Sequence, residues 1–470
     1  MTIIPLPSAR VFMPLLAAAL LAGCATVPPE AGFPDVQRHL AGRVAQHVAW
    51  NRDSAADAQA AQAVTDLLAR PLTADGAVQV ALLNNPALQA TYEDLGVAQA
   101  DLVQAGLLRN PVLSLISAFP TRGQEPPKLD FSVVANFLDL LWLPARQKVA
   151  TDRFAQVKLD VSAEVVDLAA ETRAAYLRHQ AAAQTAKALA EMTALAQASY
   201  DLVARLAQAG NVNERRLATE QAALEEARIE QAEAEGEAVA TRETLTRLMG
   251  VWGAQAAWTV ADTLPPVPPD EPDLATVETA VIQGNLKLAA ARQAVAAKAA
   301  SLGLTDASRL WSDISIGVAG ERETDRSWLL GPSLDLALPL FDQGQPAVAK
   351  ATAEYRQEAR RAQQLAVDLR SQAREARDRL VRAHDLARHY RETVIPLQQR
   401  IVRLGMAEYN FMLTSPFEVL TARQAESAAY RRYIAAVRDY WLAAGDLMRL
   451  SGGTPLSPTQ PTTTQPGGPS

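Results

Sequence analysis

The sequence predicts a mainly α-helical chain with membrane-type β-strands. It reads as two repeats of about 200 residues whose long coiled-coil helices form a wall. Three observations predict this. Around Gly331–Lys350, Trp328, Leu330, Leu334, Leu336, Leu338 and Leu340 share one parity, while Ser333 and Asp335 fall on the other, as in a strand with one oily and one wet face. From Ala347 to Ile395 there is neither Gly nor Pro, so the strand feeds a long helix. The same order of elements also occurs earlier in the chain. A two-faced strand entering a very long helix suits a β-barrel that continues into a helical tube.

The chain has 470 residues, a net charge of −7 and only 5% aromatic residues. No basic stripe is offered to phosphates, which argues against a nucleic-acid partner. Residues 1–23 read as a secretory signal: Arg10, the apolar run Val11–Ala22, and small residues at its end. The run is too short to span a bilayer as a helix. Leu21-Ala22-Gly23-Cys24 resembles the lipobox of bacterial lipoproteins, in which the cysteine, here the chain's one Cys, becomes the acylated first residue. Ala at position 25 rather than Asp leans, by the same resemblance, to the outer membrane. No later segment reads as a transmembrane helix, so any crossing must be made by strands in a closed barrel.

Residues 24–71 form an N-terminal arm with little periodicity, expected to be extended or loosely helical. The first repeat, 72–263, opens with a helical segment, Leu72–Leu108, with Asp75 as its cap and a turn at Asn84-Asn85-Pro86. Val112–Phe119 is a strand, Pro120–Lys128 a polar turn and Leu129–Leu141 a second strand. Ala145–Ala209 is a long helix, Gly210-Asn211 reverses the chain, and Asn211 or Asn213 caps the returning helix to Met249. Residues 264–273 are a stiff proline linker. The second repeat, 274–452, has a helix at Leu274–Leu304, a strand at Asp313–Val318, a polar turn at Ala319–Ser327, the opening strand and its helix, a reversal at Phe411–Pro416 and a last helix to Leu450. The Pro/Thr/Gln/Gly tail, 453–470, reads as disordered.

The repeat can be followed by residue. Leu168, Thr172, Ala175, His179, Ala182, Ala186, Leu189, Thr193, Ala196, Tyr200 and Val203 step by four and three. Adding 201 gives Leu369, Ala373, Ala376, Leu380, Ala383, Ala387, Tyr390, Val394, Leu397, Ile401 and Leu404. These are heptad seams, and Ala on the other faces leaves room for neighbours on both sides. Pro396, opposite Leu195, should kink the second helix.

With these residues in view, the chain resembles the TolC-like outer-membrane efflux proteins, in particular the lipidated members that serve resistance-nodulation-division pumps. Gly331–Gly344 with Pro339-Leu340-Phe341-Asp342 resembles the family's final strand and its turn into helix. Asn85-Pro86-Ala87-Leu88 resembles the opening of the first repeat, Gly210-Asn211-Val212-Asn213-Glu214 the first periplasmic tip, and Phe417–Gln424 the helix leaving the second tip. Met412 stands where the first tip has Gly210. The resemblance covers about Leu72 to Gly452. It implies a homotrimer in which each chain gives four strands to a shared outer-membrane β-barrel and long helices to a shared periplasmic α-barrel. The channel would be passive, fed by an inner-membrane pump through a periplasmic adaptor.

The candidate site residues follow from that architecture. Asp130, Ser132, Asn136, Ser333 and Asp335 would line a wet lumen, with the oily parity against outer-membrane lipid. Phe119, Trp142, Trp311, Trp328 and Phe341, near strand ends, would form aromatic girdles. At the tips, Arg205, Gly210, Asn211, Glu214, Arg403, Glu408, Met412, Pro416 and Glu418 are candidates for the docking surface and gate. No catalytic constellation appears, and no cofactor is implied. His384 and His389 do not share a helix face, and His179 sits at a seam position that suits packing rather than metal binding. The competing reading is a lipid-anchored coiled-coil adaptor, which would carry one hairpin inserted in β domains. Here two hairpins each follow their own strand pair.

Overall fold

The computed structural model describes residues 26–454 except 53, 120, 122–126, 262, 270–273, 275, 312–313, 324 and 326. Leu21, Ala22, Gly23 and Cys24, residues 270–273 of the proline linker and the tail beyond 454 therefore lie outside the described residues. The helices are α1 (Phe33–Leu40), α2 (Ala55–Leu68), α3 (Ala74–Asn84), α4 (Pro86–Ala105), α5 (Leu138–Gln208), α6 (Glu214–Met249), α7 (Val277–Gly284), α8 (Leu286–Ser308), α9 (Gln345–His389), α10 (Ile395–Asn410) and α11 (Pro416–Leu450). A π turn, Tyr390–Val394, joins α9 to α10. The strands are β1 (Val112–Ala118), β2 (Lys128–Asn136), β3 (Ile314–Arg322) and β4 (Trp328–Leu336).

The chain packs as two compact units, each drawing on both repeats. One comprises the described residues up to Pro34 together with Glu93–Lys158 and Ala290–Ala362, and holds the sheet. Its four strands run antiparallel in the order β1-β2-β3-β4, so the second repeat's hairpin continues the first repeat's. Near the sheet, Asp139 is held by Arg109 and Arg146; further along α5, Asp152 is held by Lys148 and Gln293.

The other unit comprises Asp35–Tyr92, Leu159–Ala289 and the described residues from Gln363 on. Among its described residues are two apolar cores, one for each repeat. Leu72, Val80, Tyr176, Leu245, Met249 and Trp258 lie in the first; Val281, Leu288, Leu380, Val437, Tyr440 and Leu447 lie in the second. The cores are joined to their helices by the same device. Asn85 and Asn285 each end a short helix, accept the N–H three residues on (Leu88, 3.0 Å; Leu288, 2.9 Å) and donate to the last carbonyls of a returning helix (Leu248, 2.8 Å; Leu450, 2.9 Å). Gly250 and Gly452 follow those helices in left-handed backbone, with φ of 67° and 74°. An added Cβ would lie 2.8 Å from the Asn84 carbonyl oxygen at Gly250 and 2.2 Å from that of Gly284 at Gly452.

Several expected boundaries move. The N-terminal arm contains α1 and α2; the Ser54 N–H and hydroxyl both bond the Asp57 carboxylate at the start of α2. Asp75 is not the cap of α3: Thr73 accepts from the Gly76 N–H, and Asp75 instead meets Arg173 at 2.5 Å. β2 stops at Asn136, whose side-chain oxygen takes the Leu138 N–H at 2.9 Å and turns the chain into α5, so Leu138–Leu141 is helical. β3 runs on through Ala319–Arg322, which the sequence assigns to a turn. The helix expected over Leu274–Leu304 breaks at Asn285. The expected kink at Pro396 takes the form of the preceding π turn, which absorbs a ring that cannot donate and would strike the carbonyl one turn back.

Candidate functional site

The sheet register assigns each strand residue to a face, because directly opposed residues point the same way. Asn136 opposes Ser315, which opposes Asp335; Ser132 opposes Ala319; Asp130 opposes Glu321; Gly317 opposes Ser333. Asp130, Ser132, Asn136, Ser333 and Asp335 therefore share one face, together with Ser114, Lys128 and Glu321. Lys128 and Glu321 pair across β2 and β3 on that face. The other face carries Leu113, Leu115, Phe131, Val133, Ile316, Val318, Leu330 and Leu334, and most of it is open to solvent. Phe131 lies over Gly320 and meets Trp328 edge-on at 6.1 Å. β1 is exposed along its whole length.

The aromatic candidates divide between the strand ends. Phe119 and Trp328 stand at the hairpin ends of β1 and β4. Trp311 precedes β3 and Phe341 follows β4 at the opposite ends. Trp142 also lies at that end, inside the first turns of α5 rather than in a strand.

The two helical reversals have one geometry. Gly210 bonds back to Ala207 and Asn211 to Leu206; Met412 bonds back to Tyr409 and Leu413 to Glu408. Both sets form the Schellman closure of a helix end. Asn213 then caps α6 through the Arg216 N–H at 2.9 Å, and Ser415 caps α11 through the Glu418 N–H. Every one of these pairs is offset by 202 (412 − 210), whereas the upstream seams are offset by 201 (376 − 175). The π turn accounts for the extra residue. Upstream of it the predicted seam is buried at Leu369, Ala373, Ala376, Leu380, Ala383 and Ala387. Downstream, the expected Leu397, Ile401 and Leu404 are exposed, and Val402 is the buried residue, 3% exposed. One inserted residue turns the following helix by about 100°, which moves the seam on by one position.

The charged tip candidates do not form a latch within the chain. Arg205, Glu214, Arg403 and Glu408 are exposed and make no ion pair among the described residues. Glu418 accepts from the Thr414 hydroxyl, and Pro416 occupies the first position of α11. The hairpins are tied instead by residues the sequence did not single out. Glu220, buried, accepts from Ser199 at 2.9 Å and pairs with Arg216 at 2.8 Å, and the Arg216 guanidinium lies 3.5 Å over the Phe417 ring of α11. The Arg216–Glu220 spacing of four was visible on the helix; the Phe417 contact depends on how the hairpins meet.

The residue before the linker and the described linker residues are also held by side chains. Gln180 donates to the Thr263 carbonyl at 2.7 Å, Trp441 to Pro265 at 2.9 Å and His384 Nε2 to Pro268 at 3.1 Å. His179 is packed, its ring edge-on to Trp258 at 5.3 Å and Nδ1 3.4 Å from the Thr241 hydroxyl.

No family model matches the chain. It is 27% identical over 285 residues to Protein CyaE of Bordetella pertussis, a match covering 57% of this chain and 60% of CyaE, so the chain spans less than two thirds of that relative. Among solved structures, the CmeC outer membrane channel of Campylobacter jejuni superposes with a TM-score of 0.67 at 15% identity, covering 96% of this chain and 94% of CmeC. The outer membrane protein VceC of Vibrio cholerae gives 0.65 at 14% identity, over 81% of this chain and 96% of VceC. The fold of this chain is therefore that of the TolC-like outer-membrane channels.

Proposed function

We propose that the chain is one subunit of a passive outer-membrane channel in a tripartite efflux system, receiving solutes from an inner-membrane pump through a periplasmic adaptor. The observation that carries this reading is the sheet. It has an exposed apolar face, a polar face, and outer edges on β1 and β4 that pair with no other strand among the described residues. In lipid every backbone polar group must be paired, and open sheet edges are not tolerated there. Four strands cannot close on themselves, since membrane barrels start at about eight. Several copies must therefore pool their strands, and three would give a twelve-stranded barrel with the Asp130–Asp335 face inward. Among the described residues no helix is long and apolar enough to cross a membrane.

In this reading Cys24 carries the lipid anchor, Phe119, Trp142, Trp311, Trp328 and Phe341 sit at the two membrane interfaces, and the tips at Gly210–Glu214 and Glu408–Glu418 meet the adaptor. The test is an outer-membrane fraction run on a gel with and without boiling, followed by planar-bilayer recording of the unboiled species. A heat-modifiable trimer that conducts supports the channel. A monomer that becomes soluble when the anchor is removed supports an adaptor instead.

A further inference from the structure

Two arginines at the helix-to-strand junctions are only half engaged. Arg109 follows α4 and precedes β1; Arg309 follows α8 and precedes β3. They are counterparts in the repeat, 200 apart (309 − 109), as Asn85 and Asn285 are. Arg109 Nε lies 3.1 Å from the Asp139 carboxylate, and Arg309 Nε lies 3.9 Å from that of Asp306. Neither guanidinium has another ion pair or hydrogen bond among the described residues, so the Nη edge of each is open. The side chains are 66% and 47% exposed. Apolar groups surround them. Leu107, Leu108, Leu140 and Leu141 adjoin the Arg109–Asp139 pair in sequence, Leu310 and Trp311 follow Arg309, and all are exposed. Gly344, whose added Cβ would lie 2.6 Å from the Arg309 Cβ, comes three residues after the fully exposed Phe341. Free cation edges set among exposed apolar side chains mark an interaction surface.

We propose that Arg109 and Arg309 each bind the phosphodiester of a glycerophospholipid, in the leaflet on the helix side of the membrane, with its acyl chains over the adjoining apolar residues. The inference rests on the channel reading and adds a ligand to it. The strands set the level. β2, β3 and β4 have nine residues each, close to the 9–11 or so that a tilted strand needs to cross the hydrocarbon layer. Arg109 and Arg309 stand just beyond the strand ends nearest the helices, where lipid phosphates lie. Chemistry sets the ligand. The two Nη groups of a guanidinium match two phosphate oxygens, and such charge-assisted pairs are stronger than neutral hydrogen bonds. The exposed leucines suit acyl chains and not a free anion. The two sites differ in strength. Asp139 is shared by Arg109 and Arg146, two cations to one carboxylate, which leaves a net charge of +1. Asp306 neutralises Arg309, and Asp342, bonded to the Gly344 N–H, adds a second carboxylate two residues from the Gly344 contact. Arg109 is therefore the tighter site.

The test is the phospholipid that purifies with the full-length oligomer in mild detergent, read as lipid phosphorus per chain and by native mass spectrometry. Arg109→Gln and Arg309→Gln should each lose one phospholipid per chain relative to the wild type, and the double variant two. On washing with detergent, the lipid at Arg309 should leave first. Arg70→Gln, an exposed arginine on the far side of α3, should match the wild type. Arg109→Gln leaves Asp139 paired with Arg146, so no buried carboxylate is stranded and the fold holds. The delipidated oligomer should dissociate at a higher temperature when phosphatidylglycerol is added in mixed micelles, and at an unchanged one with inorganic phosphate. An equal rise with inorganic phosphate overturns the lipid in favour of a soluble anion. An equal rise with diacylglycerol, which lacks the phosphate, overturns the role of the arginines. An oligomer that retains as much phospholipid in the double variant as in the wild type overturns both sites and leaves the channel intact. Absence of any oligomer overturns the channel reading, and this inference with it.

Discussion

Met412 and Gly210 occupy equivalent places at the two helical reversals, with left-handed φ of 59° and 73° and the same backward hydrogen bonds. Gly adopts this backbone freely, whereas an L side chain carries a cost of about 1 kcal/mol. Met412→Gly should therefore stabilise the folded hairpin by about that amount, less a few tenths for the added freedom of the unfolded chain. Met412 is almost fully exposed, so no packing is lost. Chemical denaturation followed by helix content reads the change, and a destabilised variant would show that the side chain has a partner.

The two buried asparagines are the most economical way to test the repeat. Asn85→Ala and Asn285→Ala each remove a donor to a helix-end carbonyl and an acceptor for a helix-start N–H. Leaving those buried groups unpaired should cost about 1–3 kcal/mol at either site. Equal losses at the two positions are expected, because the two environments have the same construction. A loss at one alone would mean that the cores differ in stability despite their shared geometry.

Much of this was legible because it follows from periodicity. Alternation assigned Asp130, Ser132, Asn136, Ser333 and Asp335 to one parity, and the register puts them on one face. Gly210 and Asn213 marked the first reversal, and α6 ends at Met249 as read. The π turn was not legible, for a physical reason. Leu397, Ile401 and Leu404 satisfy the unshifted seam, while Ile395 and Val402 satisfy one shifted by a residue, so the hydrophobic pattern fits both. Only the offset of 202 between Gly210 and Met412 distinguishes them. The end of β2 was ambiguous in the same way, since Leu138–Leu141 suits a strand or a buried helix turn. β3 was cut short because Glu321 and Arg322 look like turn residues, although Glu321 stands on the polar face paired with Lys128.

Gly317 and Gly320 separate two kinds of crowding in the sheet. A Cβ on Gly317 would lie 2.2 Å from the Val133 carbonyl oxygen, against backbone that cannot move without parting β2 from β3. If the chain assembles as proposed, Gly317→Ala should abolish the heat-modifiable oligomer on an unboiled gel. A Cβ on Gly320 would instead strike the Phe131 ring at 2.3 Å, and a ring can rotate away. Gly320→Ala should weaken assembly, and Phe131→Ala should relieve the weakening in the double variant. If Gly317→Ala assembles normally, β2 and β3 do not pair in the register that sets Gly317 opposite Val134.

In the proposed channel, the tips would offer two ways of holding the tube shut, and these respond to different substitutions. Phe417→Ala removes the ring beneath Arg216 and should cost about 1 kcal/mol of the link between hairpins. If that link restrains the aperture, single-channel conductance rises. Arg403 and Glu408 have no partner within one chain among the described residues, so any part they play in the gate must be made with other copies. Conductance of Arg403→Ala and Glu408→Ala should also rise on that assignment. Unchanged conductance in both removes them from the gate.

His179 gives the folded chain a pH dependence with a definite sign. Burial holds its pKa below the ordinary value, and the Arg242 charge lowers it further. Arg242 is fixed there by the Ala256 and Trp258 carbonyls, at 2.8 and 2.7 Å, and by the Trp258 ring. The unfolded chain therefore takes up a proton at a higher pH than the folded chain does. Stability from this site is complete above the ordinary histidine pKa of about 6.5, falls as pH drops below it, and levels off once the folded-state pKa is passed. The thermal midpoint should thus fall between pH 7.5 and pH 5 by more in the wild type than in His179→Gln, which cannot titrate. The Gln variant will start less stable, having lost the edge-on contact with Trp258, so the comparison lies in the two slopes. Parallel slopes would mean that His179 takes up its proton in the folded chain as readily as in the unfolded one.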